Sequence, residues 1–240
     1  MTELKQRVGR PIRPVLSRDT IAIHALELVT DHGFEKLTMS QLAKKLGVAP
    51  SALYNHLDNK ADLVLLIQDA LVSQVSLRGM AQLIEGEVSL AAALEDWARS
   101  YRSVFASYPS LIPLIAVTPV SEAPQTSHMY DTVAKALITA GVPEDHVITV
   151  VVAFESFLFG SALDVNAPAN VLDAPEGDIW LAHVIKASRK VSDPIFEAEG
   201  TEHPPRMNSD HATAPFLFGL QALIDYTLRF IPSTASAATS

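Results

Sequence analysis

The sequence predicts an all-α protein, in which a three-helix N-terminal domain with a helix-turn-helix precedes a larger helical domain. First, apolar residues recur at three- and four-residue intervals along most of the chain, which is typical of amphipathic helices. Second, capping signals and a turn glycine divide residues 37–60 into short consecutive helices. Third, two long and very apolar stretches, 144–164 and 213–230, follow in the C-terminal part.

Charge and composition support a division into four segments: a flexible basic arm over 1–16, a helix-turn-helix domain over 17–59, a larger helical domain over 60–231 and a flexible tail over 232–240. The first 60 residues hold nine Lys/Arg and six Asp/Glu, whereas the remainder holds nine Lys/Arg and 21 Asp/Glu. This asymmetry is typical of a DNA-binding head on an acidic body, although ordinary scatter of surface charge would also produce it.

Composition excludes several kinds of site. The 240-residue chain has no cysteine, which excludes disulfides, thiolate metal sites and cysteine nucleophiles. Its N-terminus is polar and basic, so we expect no signal peptide. No run approaches the ~18 uninterrupted apolar residues of a membrane helix. We therefore expect a cytoplasmic protein with no membrane partner.

The first two helices of the head have clear start and stop signals. A helix is predicted over 18–32, with Ser17 as its N-cap and Gly33 as its end. Thr38 and Gln41 form a T-x-x-Q capping box at the start of the next helix. Gly47 stands where a left-handed residue would end that helix.

A further short helix opens at Pro50, where the missing N–H of proline is harmless. Leu53 and Leu57 are predicted to face the core, which leaves the polar residues between them for other faces. A helix, a short glycine turn and a second helix rich in small residues form a helix-turn-helix, which reads DNA in the major groove.

This segment resembles the DNA-binding domain of the tetracycline-repressor-type (TetR) family of regulators. The match runs without a gap over residues 18–66, which makes it far more specific than a bare helix-turn-helix. The residues that carry it are Gly33-Phe34, Leu37-Thr38, Leu42-Ala43, Leu46-Gly47-Val48, Leu53-Tyr54, His56, Lys60 and Asp62-Leu63. Beyond residue 66 the resemblance rests on the helical pattern alone.

The resemblance implies that the second short helix enters the major groove. The residues expected at base edges are Pro50, Ser51 and Asn55. The residues expected to contact phosphates are Thr38, Ser40, Tyr54, His56 and Lys60.

Three positions leave alternatives open, and a fourth departs from the family pattern. Asn55 could pair with adenine or face solvent, and Tyr54 could contact DNA or pack under the turn. Most family members carry Ser or Thr where this chain has Ala49, so an N-cap and a possible phosphate contact are missing. Arg10 could enter a narrow minor groove; the plainer alternative is a solvated tail that makes unspecific phosphate contacts.

The larger domain begins with a helix from Lys60, for which Asn59 and Asp62 form a capping pair. Its apolar stripe extends to Val75, which predicts a helix long enough to connect the helix-turn-helix domain rigidly to the rest of the larger domain. A break is expected at Gly86. Further helices are predicted over residues 90–107, 110–117, 125–140, 144–164, 178–190 and 213–230.

The two most apolar helices are predicted to form a dimer interface. Helices 144–164 and 213–230 exceed what one small bundle easily covers. Two from each subunit would form a four-helix bundle, which resembles the dimerisation mode of the family. A core within one chain is the alternative.

The resemblance also implies a pocket for a small-molecule effector in the body. The candidate lining residues are Trp97, Tyr101, Phe105, Tyr108, Met129, Phe154, Phe157 and Leu158. The polar candidates are Arg102, Thr118 and His128, together with Glu155. Each could instead belong to the core, but the aromatic crowding favours a flat or apolar ligand.

No metal or other cofactor is predicted. The histidine that binds the magnesium–drug chelate in the tetracycline repressor has no counterpart here, because the chain offers Leu114-Ile115-Ala116 at that place. The expectation is therefore that the chain has no metal–tetracycline site.

The sequence predicts a repressor that is released from a palindromic operator by a small apolar or aromatic molecule. Its partners would be an operator in double-stranded DNA, the effector and a second copy of the chain. One alternative is a DNA-binding regulator controlled by a protein partner or by no effector. An enzyme is the less favoured class, since G-x-S-x-G, H-E-x-x-H, P-loop and G-x-G-x-x-G patterns are all missing.

Overall fold

The computed structural model describes residues 16–120, 123–168, 182–184, 186 and 211–231. Every regular element in these ranges is a helix, which confirms the predicted all-α class. The predicted arm with Arg10, most of the predicted helix over 178–190 and the predicted tail lie outside the described residues.

In chain order the helices are α1 (Arg18–His32), α2 (Met39–Leu46), α3 (Pro50–Leu53), α4 (Lys60–Val72), α5 (Arg78–Ile84), α6 (Leu90–Ala106), α7 (Ile112–Ile115), α8 (Pro124–Thr139), α9 (Glu144–Asp164) and α10 (Thr213–Leu228). Two 3₁₀ turns accompany them, Phe34–Lys36 and Pro109–Leu111.

The helices group into two compact units. The first contains the chain up to Ser73 together with Pro113–Ser127. The second contains Gln74–Ile112 and the residues from His128 onward. The boundary between residues 59 and 60 stays a prediction, and the first unit includes all of α4.

The first unit is organised around α1, which packs against α2 and α4. Its buried side chains recur at the spacing that the sequence shows, because one face of each helix must leave water. They include Ile21, Ala25, Leu42, Leu53, Leu57, Leu63, Ile67 and Leu71.

The predicted capping signals are confirmed in the first unit. The Thr38 hydroxyl accepts a hydrogen bond from the Gln41 amide, 3.2 Å, and Gln41 Oε1 accepts one from the Thr38 amide, 3.0 Å. Asn59 and Asp62 form the same reciprocal box at the start of α4. Gly47 ends α2 with φ 67°, a left-handed conformation that glycine adopts without strain.

The start of α8 also belongs to the first unit, and a residue of α4 caps it. Asp69 Oδ1 accepts hydrogen bonds from the Thr126 amide at 2.9 Å and from its hydroxyl at 3.2 Å. Thr126 lies in the first turn of α8, where backbone amides lack helical partners and the helix dipole favours a negative charge. Asp69 therefore caps the N-terminus of α8.

In the second unit α6 packs against α5, α9 and α10. The Asp96 carboxylate of α6 accepts hydrogen bonds from the Gly79 amide at 3.3 Å and the Ser76 hydroxyl at 3.2 Å. Glycine allows this approach, because a Cβ at residue 79 would lie only 3.2 Å from the Ala93 Cα. The contact fixes the start of α5 on α6.

Two sequence predictions need correction. The helix from Lys60 ends at Val72 and does not continue to Val75, because the Ser76 amide instead donates to Ser100 Oγ of α6 at 2.8 Å. The separate helix α5 was not predicted. The apolar helix predicted over 110–117 is a 3₁₀ turn followed by the single turn of α7.

Helix α9 is, among the described residues, long and apolar enough to cross a membrane by length and composition alone. The buried core helix of a globular protein meets the same criterion. Here α9 packs against α6 and α10, and Val147, Val151, Phe154, Leu158 and Ala162 are buried. These contacts describe a core helix.

Candidate DNA-binding face and effector site

The first unit presents an exposed polar face around the helix-turn-helix, which we call the recognition face. Leu53 and Leu57 are buried and anchor this stretch of chain to the core. The polar and small side chains around them therefore point outward. The recognition face contains Ser40, Pro50, Ser51, Tyr54, Asn55 and Lys60, all of which are exposed.

The second helix of the motif is shorter than predicted. Helix α3 ends at Leu53, so Tyr54, Asn55 and His56 lie in the turn that follows it. Ala49 provides no side-chain cap for α3. The Asn55 amide bonds to Ala52 O at 3.4 Å, an i to i−3 contact that tightens the chain into a turn.

Two predicted phosphate contacts have structural roles as well. Thr38 is exposed, but its hydroxyl and amide are both engaged in the capping box of α2. His56 is half-buried, and its carbonyl oxygen accepts a hydrogen bond from the Arg18 guanidinium at 3.2 Å. Arg18 thereby ties the turn after α3 to the start of α1.

The remaining residues of the recognition face keep polar groups available. Lys60 Nζ lies 4.5 Å from the centre of the Phe34 ring, a cation–π contact that holds the ammonium at the start of α4. The side chain of Asn55 accepts and donates no hydrogen bond within the part of the chain that the structure describes. Tyr54 is 53% exposed, so the turn does not bury its ring.

One basic residue near the helix-turn-helix is already paired. Lys45 Nζ lies 3.0 Å from Glu27 Oε2. The hydrogen bond and charge of Lys45 lower the pKa of the Glu27 carboxyl. Lys44, which is exposed beside it, forms no ion pair among the described residues.

The second unit brings most of the predicted aromatic effector residues into one cluster. Trp97 and Tyr101 meet edge to face with ring centres 5.7 Å apart, and Tyr101 stacks on Phe105 at 4.6 Å. Phe154 of α9 lies 6.0 Å from Trp97. Phe159, which the sequence analysis did not select, contacts both Tyr101 and Phe105. Met129 and Leu158 are buried in the same unit.

A carboxylate lies at the edge of this cluster. Glu155 Oε1 accepts hydrogen bonds from Tyr101 Oη at 2.8 Å and from Tyr130 Oη at 2.5 Å. Burial, reinforced by the charge of Glu155, raises the pKa of both phenols above its usual value. Both hydroxyls therefore stay protonated and donate to the carboxylate at neutral pH.

Tyr130 does not stand out in the sequence, because its neighbour Met129 carries the apolar stripe of α8. The available signal was a tyrosine at the edge of that stripe, where a polar tip can reach across to another helix.

Other predicted effector residues have different neighbours. The Arg102 guanidinium donates to Ser161 Oγ at 2.9 Å and to Ala212 O at 3.1 Å, and it lies 4.5 Å from the centre of the Phe216 ring. Arg102 therefore joins α6 to α9 and to the start of α10. Phe157 is half-buried and stacks on Phe216 at 5.9 Å.

Thr118 and His128 are the two remaining polar candidates. Thr118 belongs to the first unit, and its hydroxyl donates to Leu114 O at 2.7 Å. His128 is exposed on α8. Both assignments to an effector site stay predictions.

A surface pocket of about 430 Å³ lies in the second unit beside Arg102. It is lined by Arg99, Arg102, Ser103, Ala106, Ser107, Val165 and Phe216. Within the described ranges no three His, Cys, Asp or Glu side chains come together as a metal site.

Two family models match the chain. The model described as "Bacterial regulatory proteins, tetR family" matches residues 24–67, which contain the recognition face. The model described as "Tetracyclin repressor-like, C-terminal domain" matches residues 84–226, more than half of the chain.

Curated relatives match along most of their length. The HTH-type transcriptional repressor DrrR1 of Streptomyces coeruleorubidus is 24% identical over 228 residues, which cover 92% of this chain and 80% of the relative. The HTH-type transcriptional repressor Rv1353c of Mycobacterium tuberculosis is 25% identical, with 94% and 85% covered.

Solved structures share the fold at low identity. A possible TetR family transcriptional regulator from Streptomyces coelicolor A3(2) has a TM-score of 0.67 at 22% identity and covers 89% of this chain and 98% of its own. ActR of Streptomyces coelicolor in complex with actinorhodin has a TM-score of 0.62 at 22% identity, with 91% and 99% covered. BioQ, solved with its DNA operator, has a TM-score of 0.58 at 20% identity, with 89% and 99% covered.

Proposed function

The chain belongs to the TetR family of DNA-binding transcriptional regulators, and we propose that it is a homodimeric repressor released from a palindromic operator by a small molecule. The observation that carries the proposal is the recognition face, an exposed polar surface held by buried Leu53 and Leu57 within the matched segment 24–67. Such a protein acts where the DNA is, in the cytoplasm.

The relatives support a repressor that responds to a ligand. DrrR1 and Rv1353c are both named transcriptional repressors. ActR was solved with actinorhodin bound, and BioQ was solved with a double-stranded DNA operator. We extend repression, operator binding and ligand binding from these proteins to this chain.

In the proposed complex Pro50, Ser51 and Asn55 meet base edges in the major groove. Asn55 is the strongest candidate for reading a base, because its exposed amide has no hydrogen-bond partner among the described residues and can pair with adenine. Phosphate contacts fall to Ser40, Tyr54 and Lys60, with Thr38 and His56 at the edge of the face and Arg10 reaching the minor groove from the arm.

The homodimer would form through α9 and α10. Both helices are packed on α6 along one side, yet each leaves large apolar side chains in water on the other. Large apolar side chains exposed on neighbouring helices are typical of a protein–protein interface. We call this surface the dimer face, and its exposed members are Ile148, Val152, Leu163, Leu217, Phe218, Tyr226 and Leu228.

The effector would bind in the second unit beside the aromatic cluster of Trp97, Tyr101, Phe105 and Phe154, with Glu155 and Tyr130 at its edge. A ligand that favours one arrangement of these side chains shifts the population of the dimer between operator-bound and released forms, because binding and release share one equilibrium.

The proposal is tested by selecting operators from random duplex DNA with the purified full-length protein. We expect an enriched sequence with two inverted half-sites, as a symmetric dimer requires. An enriched site without inverted symmetry, or no enrichment at all, would contradict the proposal.

Two variants separate base reading from phosphate contact on the selected operator. Asn55→Ala should change the preferred bases, whereas Lys60→Ala should weaken binding to all sequences and reduce the slope of log affinity against log salt by about one. Lys135→Ala is the matched control, because Lys135 is an exposed lysine on α8 in the second unit. If Asn55→Ala lowers affinity equally for every sequence, Asn55 is not a base reader.

A further inference from the structure

Glu155 is a negative group in an otherwise aromatic setting. It is half-buried on α9, between the buried Phe154 and the half-buried Phe157 in the sequence. Its Oε1 atom accepts from both tyrosine hydroxyls, Tyr101 and Tyr130. Its Oε2 atom accepts no hydrogen bond from any residue in the described ranges. Among the described residues, the two tyrosines therefore leave the second carboxylate oxygen without a donor.

The charge of Glu155 has no counter-ion in the described part of the chain. The ion pairs there join Lys45 with Glu27, Arg78 with Asp96 and Arg99 with Glu95. Arg102, on the same helix as Tyr101, directs its guanidinium to Ser161, Ala212 and the Phe216 ring. A partly desolvated carboxylate favours a cation, because neutral hydrogen bonds alone compensate its burial only in part.

The neighbouring rings favour an aromatic cation in particular. Both hydroxyls that donate to Glu155 belong to aromatic rings, and the Tyr101 ring contacts Trp97 and Phe105. Electron-rich ring faces attract cations, most strongly where water is excluded.

Behind Tyr101, the buried indole N–H of Trp97 has no hydrogen-bond partner among the described residues. Unpartnered buried donors are rare in proteins, and this donor, which lacks a partner among the described residues, belongs to the aromatic cluster that Tyr101 joins to the carboxylate.

The composition of the body supports a positively charged ligand. The 180 residues after Lys60 hold 21 Asp/Glu and nine Lys/Arg. A surface with this excess of negative charge raises the local concentration of cations and lowers that of anions.

We propose that Glu155 and the tyrosines that bind it form the recognition site for an aromatic organic cation. This inference rests on the proposed effector site and adds the chemical class of the effector. The carboxylate Oε2 meets the positive group, Tyr101 and Tyr130 hold the carboxylate in place through Oε1, and the Tyr130 ring contacts the ligand.

The test compares two probes of the same shape, 1-methylquinolinium and 1-methylnaphthalene, which differ in charge alone. Their dissociation constants are measured on the full-length dimer by ligand-observed NMR. We expect the cation to bind about tenfold more tightly than the neutral probe, the size of a single charge-assisted or cation–π contact. Equal affinity for the two probes, or binding by neither, overturns the proposal.

The variant Glu155→Gln locates the cation preference. Glutamine retains an oxygen that can accept from both tyrosines but carries no charge, so the tenfold preference should disappear while the neutral probe binds as before. Glu144→Gln is the matched control, because it removes the same charge from the exposed start of the same helix. A preference that survives Glu155→Gln, or that Glu144→Gln also abolishes, overturns the assignment of Glu155.

Operator release, followed separately by fluorescence anisotropy on the selected operator, distinguishes this inference from the proposed function. Release by a neutral or anionic compound, with no preference for the cationic probe, would uphold the repressor and reject the cation site. A cation preference that depends on Glu155 without any effect on operator binding would uphold the site and reject its role as effector site.

Discussion

Thr38 illustrates how a single side chain can serve two predicted roles. It lies exposed beside the recognition face, yet its hydroxyl accepts from the Gln41 amide and donates to Gln41 Oε1 at 2.9 Å. The hydroxyl is therefore committed to the N-terminus of α2, where four amides lack helical partners. Any phosphate contact by Thr38 would be additional to this cap.

Thr38→Ala should lower the free energy of unfolding by about 1 kcal/mol, because the cap of α2 is lost. Thr38→Ser keeps the hydroxyl and should retain most of that stability. Urea denaturation of the three proteins at one protein concentration measures the difference. If serine is no more stable than alanine, the capping box does not stabilise α2.

The tyrosines that bind Glu155 predict a dependence of stability on alkaline pH. The folded pKa of both Tyr101 and Tyr130 lies above 10.0, the ordinary value, through burial and the nearby carboxylate. Their contribution is fully present below 10.0, where the unfolded phenols are also protonated. It is lost as pH rises above 10.0, because the unfolded chain releases these protons first.

We therefore expect the unfolding temperature of the wild-type protein to fall above pH 10.0 more steeply than that of a Tyr101→Phe, Tyr130→Phe double variant. Calorimetry across this range measures the two slopes. Tyr54→Phe is the control, since Tyr54 is largely exposed. Parallel curves for the wild type and the double variant would show that both phenols titrate normally in the folded protein.

At the scale of elements, α9 and α10 approach each other at a glycine. A Cβ placed on Gly219 of α10 would meet the Phe157 ring of α9, with Cζ only 2.8 Å away. Phe157 in turn stacks on Phe216, one turn before Gly219 in α10. Gly219 therefore lowers the helix propensity of α10 but allows the two helices to pack closely.

Gly219→Ala should lower the free energy of unfolding by about 1 kcal/mol, because overpacking outweighs the gain in helix propensity. In a Phe157→Ala background the ring that a Cβ would meet is absent, so Gly219→Ala should raise the free energy of unfolding by about 0.5 kcal/mol. Denaturation of the four proteins gives the coupling between the two sites. If Gly219→Ala destabilises the protein in both backgrounds, contact with the Phe157 ring is not the cause of the destabilisation.

The way in which the N-terminus of α5 is capped explains why this helix was not predicted. The residue before α5, Leu77, has no side chain that can accept from the first amides. The acceptor for Gly79 is Asp96, which lies 17 residues further along the chain on α6. A reading of local signals finds caps such as Thr38 and Asn59, but it cannot find one that another helix supplies.

At the scale of the whole molecule, the proposed dimer accounts for the apolar surface of α9 and α10. Ile148 is 68% exposed and Phe218 is 81% exposed, although both lie on helices whose other sides are in the core. The sequence alone could not separate a dimer face from an internal core, because both are apolar. The packing of α9 and α10 on α6 assigns one side of each to the core.

Ile148→Lys should convert the dimer to a monomer and weaken operator binding at least tenfold, since a charge inside an apolar interface stays unpaired and two linked heads become separate. Ile138→Lys, on α8, is the matched control at an isoleucine that is also exposed. Analytical ultracentrifugation and operator titration measure both. A dimeric Ile148→Lys protein would mean that α9 lies outside the interface.

The sequence by itself determined the all-α class, the family, and the capping signals of the first unit. These follow from neighbours in the chain: apolar spacing within a helix, the Thr38 box, and the left-handed Gly47. It also selected Trp97, Tyr101 and Phe154 as one aromatic group, since large apolar residues on long helices become core.

Only the tertiary structure decided which polar groups meet. Asp69 caps α8 from 57 residues earlier, and Tyr101, Tyr130 and Glu155 meet from α6, α8 and α9. The end of α4 at Val72 precedes a contact of the same kind, in which the Ser76 amide donates to Ser100 Oγ of α6. The physical reason is that a buried polar group must find its partner in space, and local patterns carry no information about partners on other helices.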